Sequence, residues 1–214
     1  MRRIALNHQL KMSMKIVLFL PLCGCAFASN AQYLKVDNAV QFSSFSNKND
    51  LPILQSSVAN YSVQLGVDYL KRNWYFLSSQ VGYSRIGGSE KNPFLPQPEY
   101  QSIRENNGYI NISTTIRPYL KKSNSTLFIG IGPTVNLITG RKRFESALYE
   151  GYSYNTVRIG GKAELGILED IGRFRFGLVG VYLHDFTPAA KTEFLSLYSS
   201  GFGLQSTIGY RLDK

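Results

Sequence analysis

The chain has 214 residues, with 24 Lys and Arg against 14 Asp and Glu, a formal charge of +10, and two cysteines. Both cysteines and four of the basic residues precede residue 32, in a segment that reads as an export leader. Removing them from the 24 basic residues leaves 20 against 14 acidic ones, a net +6, and no thiol. A disulfide-stapled fold and a cysteine metal site are thereby excluded, and charges scattered without a clustered basic-aromatic patch argue against nucleic-acid binding.

The leader is expected to span Met1 to Ala31. Arg2, Arg3, Lys11 and Lys15 form a basic start, Ile16 to Phe27 is apolar, and Ser29-Asn30-Ala31 is a small-x-small cleavage site before Gln32. The apolar run is broken by Pro21 and is too short to cross a bilayer core of about 30 Å as a helix. Leu22-Cys23-Gly24-Cys25 also resembles a lipidation box with Cys25 as acceptor, although Cys23 stands where a small or β-branched residue is usual. Residues 32–214 then form one domain, rich in tyrosine and glycine and free of long apolar runs, which fits an all-β class.

Alternation of apolar and polar residues marks the strands. Tyr33 to Phe45 places Leu34, Val36, Val40 and Phe42 on one face, with Asn38 as a polar blemish in the same register. Asn60 to Leu70 and Trp74 to Ile86 alternate cleanly around the short turn Lys71-Arg72-Asn73 and form a hairpin. Gly87 to Ile103 reads as a long irregular loop containing Pro93, Pro96 and Pro98. Gly108 to Leu120 follows, with a bulge expected at Pro118. Thr126 to Thr139 comes after another short turn, and Gly140 to Asn155 is the next long loop. Thr156 to Leu168 and Arg173 to Leu183 flank the turn Glu169-Asp170-Ile171-Gly172, with the register blurred at Val179-Gly180-Val181. Asp185 to Ser199 is the last long loop, and the closing strand carries Phe202, Leu204, Ile208 and Tyr210 on its apolar face.

Eight strands joined by alternating short and long connections match an outer-membrane barrel with tight periplasmic turns and longer outer loops. Both termini are then expected on the periplasmic side. Aromatics eight residues apart recur as Tyr61/Tyr69, Tyr75/Tyr83, Phe174/Tyr182 and Phe202/Tyr210, which predicts an aromatic girdle at each rim. That spacing spans about 20 Å along the axis of a tilted barrel. Alternation alone also fits a water-soluble barrel with an apolar inside. The polar face decides between them: Gly66, Ser78, Gln80, Gly82, Ser113, Gly130, Gly132, Gly160, Gly203 and Gln205 are small or amide residues suited to a crowded lumen.

Ser29-Asn30-Ala31-Gln32, the glycine-rich strands and the ending Gly209-Tyr210-Arg211-Leu212 make the chain similar to the small eight-stranded outer-membrane barrels common in Bacteroidota, described as PorT-like or outer membrane protein beta-barrel domains. The resemblance covers about Gln32 to Leu212. It implies an eight-stranded antiparallel up-and-down transmembrane β-barrel in the outer membrane of a Gram-negative bacterium. It further implies that the barrel assembly machinery recognises the closing strand, with Tyr210 as its aromatic signal. Some relatives are linked to secretion machinery, which makes a subunit of an envelope secretion complex, with an envelope protein partner, one alternative role.

Candidate sites follow from these placements. Lys35, Asp37, Asp68, Arg117, Lys162, Glu164, Arg175 and Arg211 fall on the inward face and are expected to pair as a lumen charge network leaving little or no pore. Arg141-Lys142-Arg143, at the base of the third outer loop, is a candidate for binding lipopolysaccharide phosphates. Phe94, Leu95 and Tyr100 in the second outer loop, and Phe194, Leu195, Leu197 and Tyr198 in the fourth, could present a partner-binding surface. A lipid A-modifying enzyme is the alternative of another class; it would need His184 with Asp185 and Ser199 or Ser200. No phosphate-binding loop or metal-ligand cluster is present, so no cofactor or metal is expected. The leading expectation is a non-enzymatic membrane anchor whose outer loops bind a ligand, lipopolysaccharide or a protein.

Overall fold

The structure, a computed structural model, describes residues 31–47, 53–91, 102–140, 144 and 151–212. The leader up to Asn30 lies outside the described residues. So do Arg141, Lys142 and Arg143, and the loop residues Phe94, Leu95 and Tyr100. The strands are β1 (Ala31–Ser46), β2 (Val58–Tyr69), β3 (Tyr75–Lys91), β4 (Ser102–Lys122), β5 (Ser125–Thr139), β6 (Ser153–Tyr154), β7 (Val157–Ile171), β8 (Phe174–Asp185), β9 (Ala190–Lys191) and β10 (Ser196–Arg211). The eight long ones pair antiparallel in chain order. β1 closes on β10 from Tyr33↔Arg211 to Ser46↔Tyr198, so the eight long strands form a closed ring. A closed ring pairs its own backbone groups, the condition for strands to cross hydrocarbon.

Side-chain burial is the reverse of a water-soluble protein. Along β2, Ser62, Gln64 and Asp68 are buried, whereas Tyr61, Val63 and Leu65 are exposed. On β5, Ile129 and Ile131 are 64% and 65% exposed while Asn136 and Thr134 are buried. Apolar side chains cover the outside of every long strand, an area far beyond the patches that water tolerates. Hydrocarbon is the solvent in which this surface is stable.

The structure corrects four sequence expectations. Gly87 to Ile103 is not all loop: β3 and β4 continue their ladder outward through Gly87↔Asn106 to Lys91↔Ser102. Above the membrane neither face needs to be apolar, so the ladder runs on without the alternation that betrays it below. Pro118 makes no bulge, because the register Tyr75↔Pro118 continues unshifted along the whole β3/β4 ladder. The blur at Val179-Gly180-Val181 is a real inward face that happens to be apolar. Val179 and Val181 point into the lumen and pack with Phe76, Phe128 and Leu168. Tyr69 leaves the exposed girdle: it is 5% exposed and its hydroxyl bonds Ser79, which bonds Thr114. A phenol in an apolar layer seeks a polar partner, and the Ser79 hydroxyl on the neighbouring strand supplies it. Of the other girdle residues, Tyr75 is half-buried, and Tyr61, Tyr83, Phe174, Tyr182, Phe202 and Tyr210 are exposed.

The apolar lumen layer depends on a close approach. A Cβ at Gly166 would sit 2.7 Å from Cε1 of Phe128 and 3.0 Å from Cγ2 of Val179. Gly166→Val is therefore expected to lower barrel stability by about 1–3 kcal/mol, the usual range for overpacking. Urea unfolding in detergent micelles checks it; an unchanged midpoint would mean that the Phe128 ring can turn away.

At the end that carries the long loops, the connections fold together. Phe45, Leu54, Phe144, Ala189, Ala190 and Leu197 form a second apolar core, with Ile53, Ile103, Tyr152, Tyr154 and Leu195 against it. β6 and β9 extend the upper end of β10 as a small ladder, Tyr154↔Ala190↔Leu197. The β1–β2 loop docks on the extension of β3: Ser56 and Ser89 exchange backbone bonds at 2.9 Å, and Leu54 N donates to Glu90 Oε2 at 2.8 Å. The loops thus build a cap over the barrel mouth.

Candidate functional site

Period-two alternation sends Lys35 and Asp37 of β1, Asp68 of β2, Arg117 of β4, Lys162 and Glu164 of β7 and Arg175 of β8 inward, where all are buried. The structure brings them together. Glu164 accepts from Arg117 at two points, Nε–Oε2 2.7 Å and Nη2–Oε1 2.9 Å, and pairs with Lys162 at 2.8 Å. Arg117 also lies 3.7 Å from Asp68, which pairs with Lys35 (3.5 Å) and Arg175 (3.2 Å). Lys35 reaches Asp37 at 3.3 Å, and Arg175 reaches Asp170 at 2.7 Å. Four cations and four carboxylates so form one neutral chain of contacts, as buried charges must.

Polar and aromatic neighbours fix this network. Asp37 accepts from Gln80 Nε2 and Thr207 Oγ1, each at 2.5 Å, and Lys162 Nζ donates to Gln80 Oε1. The Arg117 guanidinium lies 4.7 Å over Phe128, and that of Arg175 lies 3.5 Å over Tyr33. Arg211 differs from the rest. It is partly exposed at the rim, donates to the Tyr33 hydroxyl, and lies 3.8 Å from Asp170. Lys121 pairs with the same carboxylate at 3.4 Å.

A second cluster sits under the cap. Arg158 Nη1 pairs with Asp185 Oδ2 at 2.9 Å and donates to Ser199 Oγ at 3.0 Å, while its guanidinium stacks 4.0 Å over Tyr109. Asn136 Nδ2 donates to Asp185 Oδ1 at 2.9 Å, Asn111 Nδ2 bonds Asn136 at 2.7 Å, and Gln64 bonds Asn111 at 3.3 Å. These residues link the cap to the middle of the lumen. Two described cavities, about 10 Å³ near Asp68 and Arg175 and about 20 Å³ between Asp185, Ser199 and Phe202, are each on the scale of one water molecule.

Sequence reasoning left Asp170, Arg158, Asp185 and Ser199 out of the lumen network. Asp170 hid in a segment of turn-like composition, yet β7 runs to Ile171 and only Gly172-Arg173 turns. Arg158 shares the inward register of Lys162 and Glu164, which was the available signal. Asp185 was read beside His184, but consecutive strand residues face opposite sides. Asp185 points into the lumen, whereas His184 faces outward and packs on Phe186 with ring centroids 5.8 Å apart. His184 does share the outer face with Ser200, its ladder partner, but the structure does not bring the carboxylate to them.

The fourth loop is also rearranged. Leu197 lies in the cap core and Leu195 packs against it, while Tyr198 is half-buried. Phe194 stays 86% exposed at the apex of the β9–β10 turn, which is closed by Thr192 N donating to Leu195 O at 2.7 Å. At the opposite end, Lys71, Arg72, Lys121, Lys122 and Arg173 crowd the short turns and are exposed. Partial desolvation of its ammonium, then the neighbouring charges of Lys121 and Arg175, holds the otherwise exposed Lys71 below the ordinary lysine range.

A closed ring of eight strands with an apolar outside, a charge-balanced filled inside and both strand termini at the short-turn end defines a small transmembrane barrel of the outer-membrane type. The chain belongs to the outer membrane protein beta-barrel domain family, whose model matches residues 30–191. That membership places it in the outer membrane of a Gram-negative bacterium. Among solved structures, Neisserial surface protein A is similar at 13% identity and a TM-score of 0.50, over 84% of this chain and 96% of that one. Ail, the attachment invasion locus protein of Yersinia pestis, matches at 11% identity and 0.44, over 84% and 99%. The translocator domain of the autotransporter NalP from Neisseria meningitidis matches at 12% and 0.37, over 94% and 96%. At 13% identity the likeness to Neisserial surface protein A is one of fold alone. No curated protein matches the chain.

Proposed function

We propose that the barrel is a non-catalytic membrane anchor with a closed lumen, and that its folded cap is the recognition surface. The observation that carries this reading is the packing of the lumen. Ion pairs, an apolar layer and the Arg158–Asp185–Ser199 cluster fill it beneath the cap, and the two cavities described among these residues are of single-water size. With solute passage blocked, specificity falls to surfaces outside the ring.

In this reading both termini are periplasmic and the cap faces outward. Arg141, Lys142 and Arg143, where the chain leaves β5, would engage lipopolysaccharide phosphates, and an envelope protein partner would dock on the cap around Phe194. The closing strand, with Tyr210 near its end, would be the element the barrel assembly machinery handles. A lipid A-modifying role has less support, because Asp185 is committed to Arg158 and turned away from His184.

Planar-bilayer recordings of the purified chain test the closed lumen. No stable single-channel steps are expected under applied voltage. Large, long-lived steps would overturn the anchor reading.

A further inference from the structure

Asn38 is an amide in the wrong solvent. On the outward face of β1 it lies between the exposed Val36 and Val40, with Leu34 and Phe42 beyond them. Its ladder partners are Val63 on β2 and Ser206 on β10. Ser206 lies midway between Phe202 and Tyr210, which mark the two aromatic rims of that strand. At about 3.3 Å per residue and a tilt near 40°, Asn38 lies about 10 Å from either rim, close to the middle of the hydrocarbon.

Its hydrogen bonding is half complete. Oδ1 accepts from the Tyr61 hydroxyl at 2.7 Å, and the backbone carbonyl accepts from Ser206 Oγ at 3.3 Å. The amide nitrogen donates to no acceptor among the described residues. Two hydroxyls elsewhere on the outer face are settled: Ser79 bonds both Tyr69 and Thr114. Hydrocarbon offers no acceptor, and an unbonded amide donor there is costly. At this depth only another membrane-embedded protein can supply one.

We infer that the outward face around β1 and β10 is a pairing surface for a second copy of this chain, joined by reciprocal Asn38 amide bonds. An amide is self-complementary: its nitrogen donates, and its oxygen keeps a second lone pair beside the one Tyr61 uses. Two copies related by a two-fold axis through this face satisfy both amides at once, the isologous arrangement of closed dimers. Ser206 on β10 and Gly180 on β8 keep the adjoining surface low, and no charged side chain stands on it. The inference rests on the outer face meeting lipid and is independent of what the cap recognises.

The test is photobleaching-step counting of the full chain, labelled once at its C-terminus, in phosphatidylcholine vesicles at falling protein density. Two-step spots that persist on dilution are expected. Asn38→Val should weaken the dimer about tenfold, the loss of two intramembrane hydrogen bonds. Heat-modifiable gel migration checks that the variant barrel is folded. Should that variant fail to assemble, Ser206→Leu adds bulk on the same face without touching the amide, and it should weaken pairing too. Ile131→Val, on β5 across the ring, should change nothing. Monomers at every density, or dimers indifferent to both Asn38→Val and Ser206→Leu, would overturn the inference.

Discussion

Glu164→Gln is expected to lower the barrel's unfolding free energy by about 3–5 kcal/mol, the cost of removing one partner from a buried ion pair. Glu164 accepts two bonds from Arg117, one from Lys162 and one from Thr115 Oγ1 at 3.0 Å. Glutamine keeps the shape but turns an NH2 toward a guanidinium and leaves two buried cations sharing one carbonyl. Neither cation has an escape. Arg117 is 1% exposed and held against Phe128 and Phe76, and Lys162 is enclosed in the lumen. Urea unfolding midpoints in micelles measure the loss. The double variant Arg117→Met/Glu164→Leu should be less damaging than the sum of its single changes, because the guanidinium that Glu164 neutralised goes with it and only Lys162, still bonded to Gln80, loses a carboxylate. A Glu164→Gln midpoint matching the parent would mean that water reaches this part of the lumen.

The second large effect concerns the cap. Leu197→Asp should open it while leaving the barrel folded. Leu197 is fully buried, its carbonyl accepts from Ala189 N at 2.7 Å, and it pairs with Ala190 across the small outer ladder. A carboxylate there has no cation to meet among the described cap-core residues and can be hydrated only if the loops part. Regions with few buried contacts open as local units, well below the global unfolding free energy. Protease cutting between Phe186 and Phe194 should then speed up by about 100-fold. The urea midpoint of the ring should stay in place, and bilayer recordings should still show no steps, since the lumen charges lie below the cap. Loss of both cap and ring in one transition would show that they are a single cooperative unit.

The two clusters differ in how visible they were in the sequence. Lys35, Asp68, Arg117 and Glu164 could be placed on the inner face by counting residues in strands whose outer face is continuously apolar. Asp185 and Ser199 could not, because they stand where β8 and β10 have risen past the lipid and neither face is required to be greasy. The same cause hid the outer ladder Gly87↔Asn106. Val179 and Val181 were obscure for the opposite reason: inward and outward residues are both apolar there, so alternation vanishes although the strand continues. The cap could not be anticipated, since Leu54 and Phe144 come from connections with no periodicity, Phe45 and Leu197 from the outer ends of β1 and β10, and the four meet only in three dimensions.

The ring was readable from the residues alone: eight strands, their chain-order pairing, and which face of each meets lipid. Alternation is a local property, set by the pleat of a single strand and by the solvent beside it, so it can be read residue by residue. It took the three-dimensional structure to show which lumen charges touch, that the mouth is capped, and that the Asn38 amide nitrogen meets no acceptor among the described residues. Those contacts join residues far apart in the chain, such as Lys162 with Gln80 and Thr207 with Asp37. They depend on the stagger between strands around the closed ring, a quantity that no single stretch of sequence carries.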